Sequence, residues 1–367
     1  MDSVVLLHYL HQHYPTQLRA IHCNHHLSDY ADKWQTFCQT ICQQLGVPLD
    51  NVDLSLDGSS NLEKQARDAR YHALGCQLQA HEILCTAHHQ EDQAETLLLQ
   101  LFRGAGSAGL AAMPKEKPLG KGLHYRPMLS ISKADIIDYA DEHKLNWIED
   151  DSNKNLHFRR NYLRLEILPK LKQHYSNLSE LLSRSAKHQA EALRLSQDLA
   201  KQDIQRYNLI SEPGRLRVNP LTTLADYRIK NVIRYQLSQQ HFGLPSDKVM
   251  AQILQLLQAK DDANPLVSWD VYEVRRFQDE LYFIDTQRNS TSNQCALFDE
   301  FKHQEGFSIA YRQEGQRVRM PGKSHSQSLK KLLQEAGIPP WERNTLRMYY
   351  IDDELRAMER LGYLSED

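Results

Sequence analysis

The chain opens on a helical pattern: behind Asp2-Ser3, a pair suited to a helix N-terminus, Val4, Val5, Leu6, Leu7 and Leu10 form one compact apolar face. Leu18 to Cys23 reads as a short strand, about Ala31 to Leu45 as a second helix ended by Gly46 and Pro48, and Ile83 to Ala87 as another strand. Strands alternating with helices predict a parallel sheet covered by helices on both faces, with ligands at the carboxyl ends of its strands. Two polar segments fall at such ends, His22-Cys23-Asn24-His25-His26 and His88-His89-Gln90-Glu91-Asp92. The Gly- and Lys-rich stretch Pro114 to Gly122 reads as an exposed loop, and Ser132 to Lys144 as a helix.

Beyond Pro169 the pattern changes. About Leu178 to Gln205 is one long helical stretch without strand signal, Pro213-Gly214 and Asn264-Pro265 mark turns, and Leu281 to Ile284 looks like a strand. The polar run Asn289 to Asn293 reads as a linker. From about Phe307 a basic bias sets in through Arg312, Arg317, Arg319, Lys323, Lys330, Lys331, Arg343 and Arg347. The expected organisation is a catalytic α/β domain over 1–175, a mainly helical middle domain over 176–288, and a small α+β domain over 296–367.

Length agrees with that division, since 367 residues exceed the usual single domain. A hydrophobic share of 41% and a charged share of 25% are globular values, which argue against long disorder. The net charge of -3 offers no global attraction to a polyanion, so a nucleic-acid surface has to be a local patch. Six cysteines without regular spacing are no disulfide framework, and no apolar run approaches the roughly 18 to 20 residues a bilayer span needs. A cytoplasmic protein with no membrane role is expected.

The candidate chemistry concentrates at the second strand end. With a helix starting near Glu91, Asp92 and Glu95 lie one turn apart on one face. They can hold a divalent cation, orient an ammonium group, or simply complement the helix dipole, and spacing alone leaves these open. Zinc is disfavoured, because the histidines lack the spacing of two ligands four apart on a helix. Cys38 and Cys42, one turn apart, suit buried apolar positions better than a redox pair. Arg67 and Arg70, three apart on a helix, can reach one phosphate together or pair with Glu63 and Asp68 on a solvated face.

The string HHQEDQAETLLLQLFRGAGSAGLAAM, from His88 to Met113, resembles the signature of the tRNA(Ile)-lysidine synthetase family within the PP-loop ATP pyrophosphatases. Further segments follow in the family's order: Arg67-Asp68-Ala69-Arg70-Tyr71, Arg126-Pro127-Met128-Leu129, Trp147-Ile148-Glu149-Asp150 with Ser152-Asn153, and Arg160-Asn161-Tyr162-Leu163-Arg164. The tail from Leu329 to Arg343 resembles the family's small C-terminal domain. The resemblance implies an ATP-dependent carbon–nitrogen ligase. It would adenylate the carbonyl oxygen at carbon 2 of the wobble cytidine in the CAU anticodon of tRNA(Ile) and then let free L-lysine displace AMP.

It also implies roles. Asp2, Arg70, Asp92 and Glu95 would be catalytic, with Asp92 and Glu95 placing Mg2+ or lysine and Asp92 the metal candidate. Asp2, Ser3, His22, Arg67, Arg70 and His88 would meet ATP. Arg103, Asn153, Arg160, Asn161, Arg164, Arg319, Lys330, Lys331 and Arg343 would meet tRNA, the basic tail through phosphates. A homodimer is the expected assembly. One departure stands out: relatives carry a Ser-Gly-Gly-x-Asp-Ser loop that cradles pyrophosphate, and here the chain opens Met1-Asp2-Ser3, with only the final Asp-Ser. The expectation is an authentic start roughly 20 to 30 residues upstream, room for the missing strand and loop. The chain as it stands would then bind ATP weakly, leaving a tRNA-binding form, or a PP-loop tRNA sulfur transferase, as alternatives.

Overall fold

A computed structural model describes residues 1–26, 30–54, 62–149, 155–259, 264–287, 296–323 and 325–365, so the expected linker at Asn289–Asn293 and the site candidate Asn153 lie outside the described residues. The chain divides into two compact units, Met1–Ser196 and Gln197–Asp367.

The first unit is α/β. Its strands are β1 (Ala20–Asn24), β2 (Leu49–Asp53), β3 (Ile83–Cys85), β4 (Glu116–Leu119) and β5 (Gly122–Tyr125). Its helices are α1 (Asp2–His13), α2 (Ala31–Leu45), α3 (Leu62–Gln77), α4 (Gln90–Leu101), α5 (Ser107–Leu110), α6 (Lys133–Glu142), α7 (Arg159–Tyr162) and α8 (Leu168–Lys172), the last two joined by a π turn at Leu163–Ile167. β1 pairs parallel with β2, and β3 pairs parallel with β5, as alternating strands and helices require. α2 ends where Gly46 takes φ 65, a left-handed cap that glycine adopts without strain. The apolar face of α1 is real: Val5 and Leu6 pack with Met128, Ile136 and Ala140, which seats α1 on α6 beside the end of β3.

The loop expected over Pro114–Gly122 is instead a hairpin. β4 pairs antiparallel with β5 around Gly120-Lys121, and Gly120 sits at φ 55 against the Gly75 carbonyl. A glycine at positive φ is what a two-residue hairpin turn demands, so the Gly and Lys content marked the turn and hid the strands beside it.

In the second unit, α9 (Leu178–Arg206, begun in the first), α10 (Val218–Leu221), α11 (Asp226–Gln239) and α12 (Asp247–Leu256) pack on an antiparallel sheet ordered β6 (Arg215–Arg217), β9 (Glu280–Asp285), β8 (Tyr272–Phe277) and β7 (Leu266–Trp269). Their shared core runs through Val232, Ile233, Leu237, Ile253, Val274 and Leu281. The helical middle region therefore carries a sheet whose shorter strands gave no clear alternation. Toward the C-terminus, α13 (Ala296–Phe301) precedes a sheet ordered β10 (Phe307–Tyr311), β13 (Arg347–Ile351), β14 (Glu354–Met358) and β15 (Gly362–Tyr363). A short pair, β11 (Arg317–Val318) with β12 (Gln327–Ser328), leads into α14 (Leu329–Glu335), buried through Leu329, Leu332 and Leu333. Among the described residues no helix is long and apolar enough to cross a membrane.

Candidate active site

The site forms where β3 ends and α4 begins. The main chain turns at His89, whose N–H donates to the Asp92 carboxylate at 3.0 Å, so Asp92 caps its own helix from the third position. One turn later Glu95 points the same way, with only 1% of its surface exposed. A carboxylate buried that deeply needs paired cations. Two supply it: Arg160 donates from Nε to Glu95 Oε2 at 2.7 Å, and Arg164 from Nε to Glu95 Oε1 at 2.6 Å. Both also reach Asp92 Oδ1, at 3.2 and 3.1 Å. Four residues apart and joined through the π turn, these arginines close an electroneutral cluster of two acids and two bases. Burial alone would raise the Asp92 pKa, but His89, Arg160 and its backbone bond outweigh it and hold the group below its ordinary value.

Beside this cluster lies a cavity of about 160 Å³ lined by His89, Glu91, Glu95, Lys133, Arg164, Leu168, Pro169 and Lys172. Its charges are sorted in space. Glu91 accepts from the Lys133 main chain at 3.0 Å and lies 3.5 Å from Lys172 Nζ. Burial opposes its ionisation, yet the bond to His89 and the nearby Lys172 hold its pKa down to about 2. Lys133 Nζ donates to Asp2 Oδ1 at 2.6 Å, which brings the start of α1 to the site. The cavity thus offers carboxylates, cations and the apolar flank of Leu168 and Pro169 together.

A second network stands behind His88. Arg126, 2% exposed, approaches His124 Nδ1 at 3.4 Å from Nη2; Thr86 Oγ1 lies 2.8 Å from His124 Nε2 and 2.8 Å from His88 Nδ1. A guanidinium can only donate, so His124 Nδ1 accepts and its Nε2–H donates to Thr86. The Thr86 hydroxyl then donates to His88 Nδ1, which leaves the His88 proton on Nε2. Burial first, then neighbouring positive charge, pushes His124 down to about 3; burial likewise takes His88 to about 4, against the pull of Asp92. Both rings are neutral near pH 7, and His88 is a fixed-polarity donor.

The expected nucleotide residues divide between these places. Asp2 reaches the edge of the cavity through Lys133, whereas Ser3 is exposed on α1. Arg70 turns to the end of β1, donating to His25 Nε2 at 2.8 Å next to His22, whose pKa burial and Arg70 lower. Arg67 lies instead over the Tyr71 ring at 5.7 Å. The two arginines do not converge on one point. Of the expected tRNA residues, Arg160 and Arg164 are committed to Asp92 and Glu95, while Asn161 is buried and donates to the Asn155 carbonyl at 3.0 Å. Arg103, Arg319, Lys330 and Lys331 are exposed. Arg343 is buried, its Nε donating to the Ile338 carbonyl at 2.8 Å, so it holds a turn and does not face solvent. The thiols of Cys23, Cys38, Cys42 and Cys85 are all pushed up by burial, which keeps them protonated.

Sequence reasoning missed His89, Glu91, Lys133, Lys172, Thr86, His124 and Arg126 as parts of the site. Glu91 and His89 lay inside a segment already singled out, and Arg126 inside a matched motif. Nothing local distinguished Lys133, Lys172 or His124.

An α/β unit with parallel strands and a charged site at a strand end is the setting of an ATP-using enzyme, and a family model of the PP-loop domain matches residues 1–171. Models of the TilS substrate binding domain and the TilS substrate C-terminal domain match residues 216–282 and 307–366. Curated relatives extend along the whole chain. The tRNA(Ile)-lysidine synthase of Coxiella burnetii is 39% identical, the alignment covering 99% of this chain and 87% of the relative. Those of Legionella pneumophila (strain Paris) and Salmonella typhi are each 35% identical, over 100% and 97% of this chain and 90% and 89% of theirs. The chain belongs to the tRNA(Ile)-lysidine synthase family.

Proposed function

We propose that this enzyme joins free L-lysine to carbon 2 of the wobble cytidine in the CAU anticodon of tRNA(Ile). ATP first adenylates the carbonyl oxygen on that carbon, releasing pyrophosphate. The lysine side-chain amine, once deprotonated, then attacks carbon 2, and AMP leaves with the oxygen. A ring carbonyl oxygen is a poor leaving group, and the AMP ester makes it a good one, so each half of the reaction is mainly a matter of activation and placement.

The observation that carries this reading is the charge pattern of the 160 Å³ cavity. Glu91 suits an ammonium group of lysine, Leu168 and Pro169 its methylenes, and Lys133 and Lys172 its carboxylate, while Glu95 and Arg164, already paired, fix the wall beside them. Arg70 and Arg67, at separate edges, would steady phosphate charge, with Asp2, Ser3 and His22 at the nucleotide. The neutral Nε2–H of His88 would donate to nucleotide or base. Arg103, Arg319, Lys330 and Lys331 are exposed cations suited to RNA phosphates.

Magnesium on Asp92 fits this arrangement poorly. Oδ1 is held by two arginines and Oδ2 by the His89 main chain, and among the described residues no group of three potential ligands converges. The steps above are therefore not routed through the ion. A cytoplasmic homodimer completes the reading, with sedimentation as its check.

The test is incorporation of labelled lysine into an isoleucine tRNA transcript with a CAU anticodon. It is run on the chain itself and on a version preceded by a strand and Ser-Gly-Gly. ATP-dependent labelling by either supports the reaction, and labelling by neither would refute it.

A further inference from the structure

The end of α4 and the start of α7 enclose a groove of about 450 Å³ that the reaction described above does not use. Its walls include Leu99, Phe102, Arg103, Arg159 and Tyr162. Two aromatic rings there face solvent to an unusual degree, Phe102 at 69% and Tyr162 at 48% exposure. Soluble surfaces seldom leave neighbouring aromatics so open without a partner. No carboxylate lines the groove, and neither Arg103 nor Arg159 forms an ion pair with another described residue. Open aromatic faces beside uncompensated arginines are the chemistry that takes an unstacked base together with its phosphate.

The position agrees. The last residue of α4, Leu101, follows Glu95 by six residues, about 9 Å at 1.5 Å per residue, and Arg103 lies two residues on. Tyr162 stands between Arg160 and Arg164, which hold Asp92 and Glu95. A base in the groove would thus be a near neighbour of a nucleotide at the carboxylates. We infer that this groove binds one unpaired anticodon-loop base of the tRNA substrate, stacked against Phe102 or Tyr162, with Arg103 and Arg159 on its flanking phosphates. The inference rests on the proposed reaction for the identity of the RNA. It adds a subsite that holds the loop open while the wobble cytidine reacts.

Phe102→Ala and Tyr162→Ala, each at an exposed position, test this alongside Phe102→Trp, which keeps a stacking face. The expected result is a KM for tRNA raised about ten-fold by whichever alanine removes the stacking ring, the order of one lost base–aromatic stack. The KM values for ATP and lysine should stay unchanged, and Phe102→Trp should stay near wild type. Fluorescence anisotropy with labelled tRNA reads the same loss without turnover. If wild type binds tRNA but does not incorporate lysine, the reaction fails while the groove is still measured. Affinities within two-fold of wild type in both alanine variants would overturn the groove assignment. So would a change in oligomeric state without a change in tRNA affinity, which would make this face a self-association surface.

Discussion

Glu95→Gln removes one charge and keeps the shape of the side chain, which makes it the cleanest probe of the acid–base cluster. In the native protein Glu95 accepts three guanidinium bonds, at 2.7, 2.6 and 2.9 Å, and is almost fully buried. The glutamine oxygen can retain one or two of them, but its amide then faces a guanidinium and cannot accept. Two arginines are left sharing Asp92. Removing one partner from a buried ion pair costs about 3 to 5 kcal/mol. The side chains of Arg160 and Arg164 are 22% and 37% exposed, so water takes up part of the loss, and about 2 to 3 kcal/mol is expected. For a unit the size of Met1–Ser196 that corresponds to roughly 4 to 12 °C in Tm. Urea unfolding followed by far-UV circular dichroism, with Arg164→Met and the double variant closing a cycle, measures it directly. The double variant should lose less than the sum of the singles, because each removes the other's unpaired partner. A Glu95→Gln protein within 0.5 kcal/mol of wild type, or strict additivity, would show that the cluster does not hold α4 to the Arg160–Arg164 segment.

Thr86→Val breaks the hydrogen-bond chain to His88 while keeping its volume; the 15N spectrum of His88 should change from one Nε2–H tautomer to a mixture, and lysidine formation should slow about ten-fold, less than the roughly hundred-fold lower end of a whole acid–base contribution because the ring itself stays, with the KM for lysine unchanged. An unaltered His88 spectrum would refute the relay. Acid should weaken the fold early: with His88 and His124 at about 4 and 3, the unfolded chain binds more protons than the native one below pH 6.5, so stability is full above 6.5 and falls as pH drops, about 1.4 kcal/mol per unit for each ring. Urea midpoints between pH 6.5 and 5 should therefore slope less steeply in His124→Gln, by about one proton. In the second unit Arg276 donates from Nη1 to the carbonyls of Leu256, Leu257 and Ala259 at the end of α12, so Arg276→Met should cost about 2 to 3 kcal/mol and speed amide exchange in α12. Unchanged exchange there would contradict that cap.

Much of the first unit was legible because its signals are local. Ala31–Leu45 is a helix to the residue, since Gly46 both ends the periodicity and supplies the left-handed cap. The strand at Ile83 and the helix after it put Asp92 and Glu95 on one face for the same reason: a strand end, a helix start and a spacing of three need no distant partner. What was hidden is the other half of each interaction. Arg160 and Arg164 look like solvent-facing bases suited to RNA, and nothing nearby in the chain says that Glu95, 65 and 69 residues earlier, claims them. Arg343 misled in the same way, because its target is a main-chain carbonyl that any residue could supply. The hairpin at Glu116–Leu119 and the short strands β11, β12 and β15 escaped because two to four residues are too few to show alternation. The divide follows the range of the interaction. Strand ends fix where a site lies, but which acid meets which base depends on how distant segments pack, and in this unit that pairing turns a row of acids on α4 into a neutral, preorganised wall beside an open pocket.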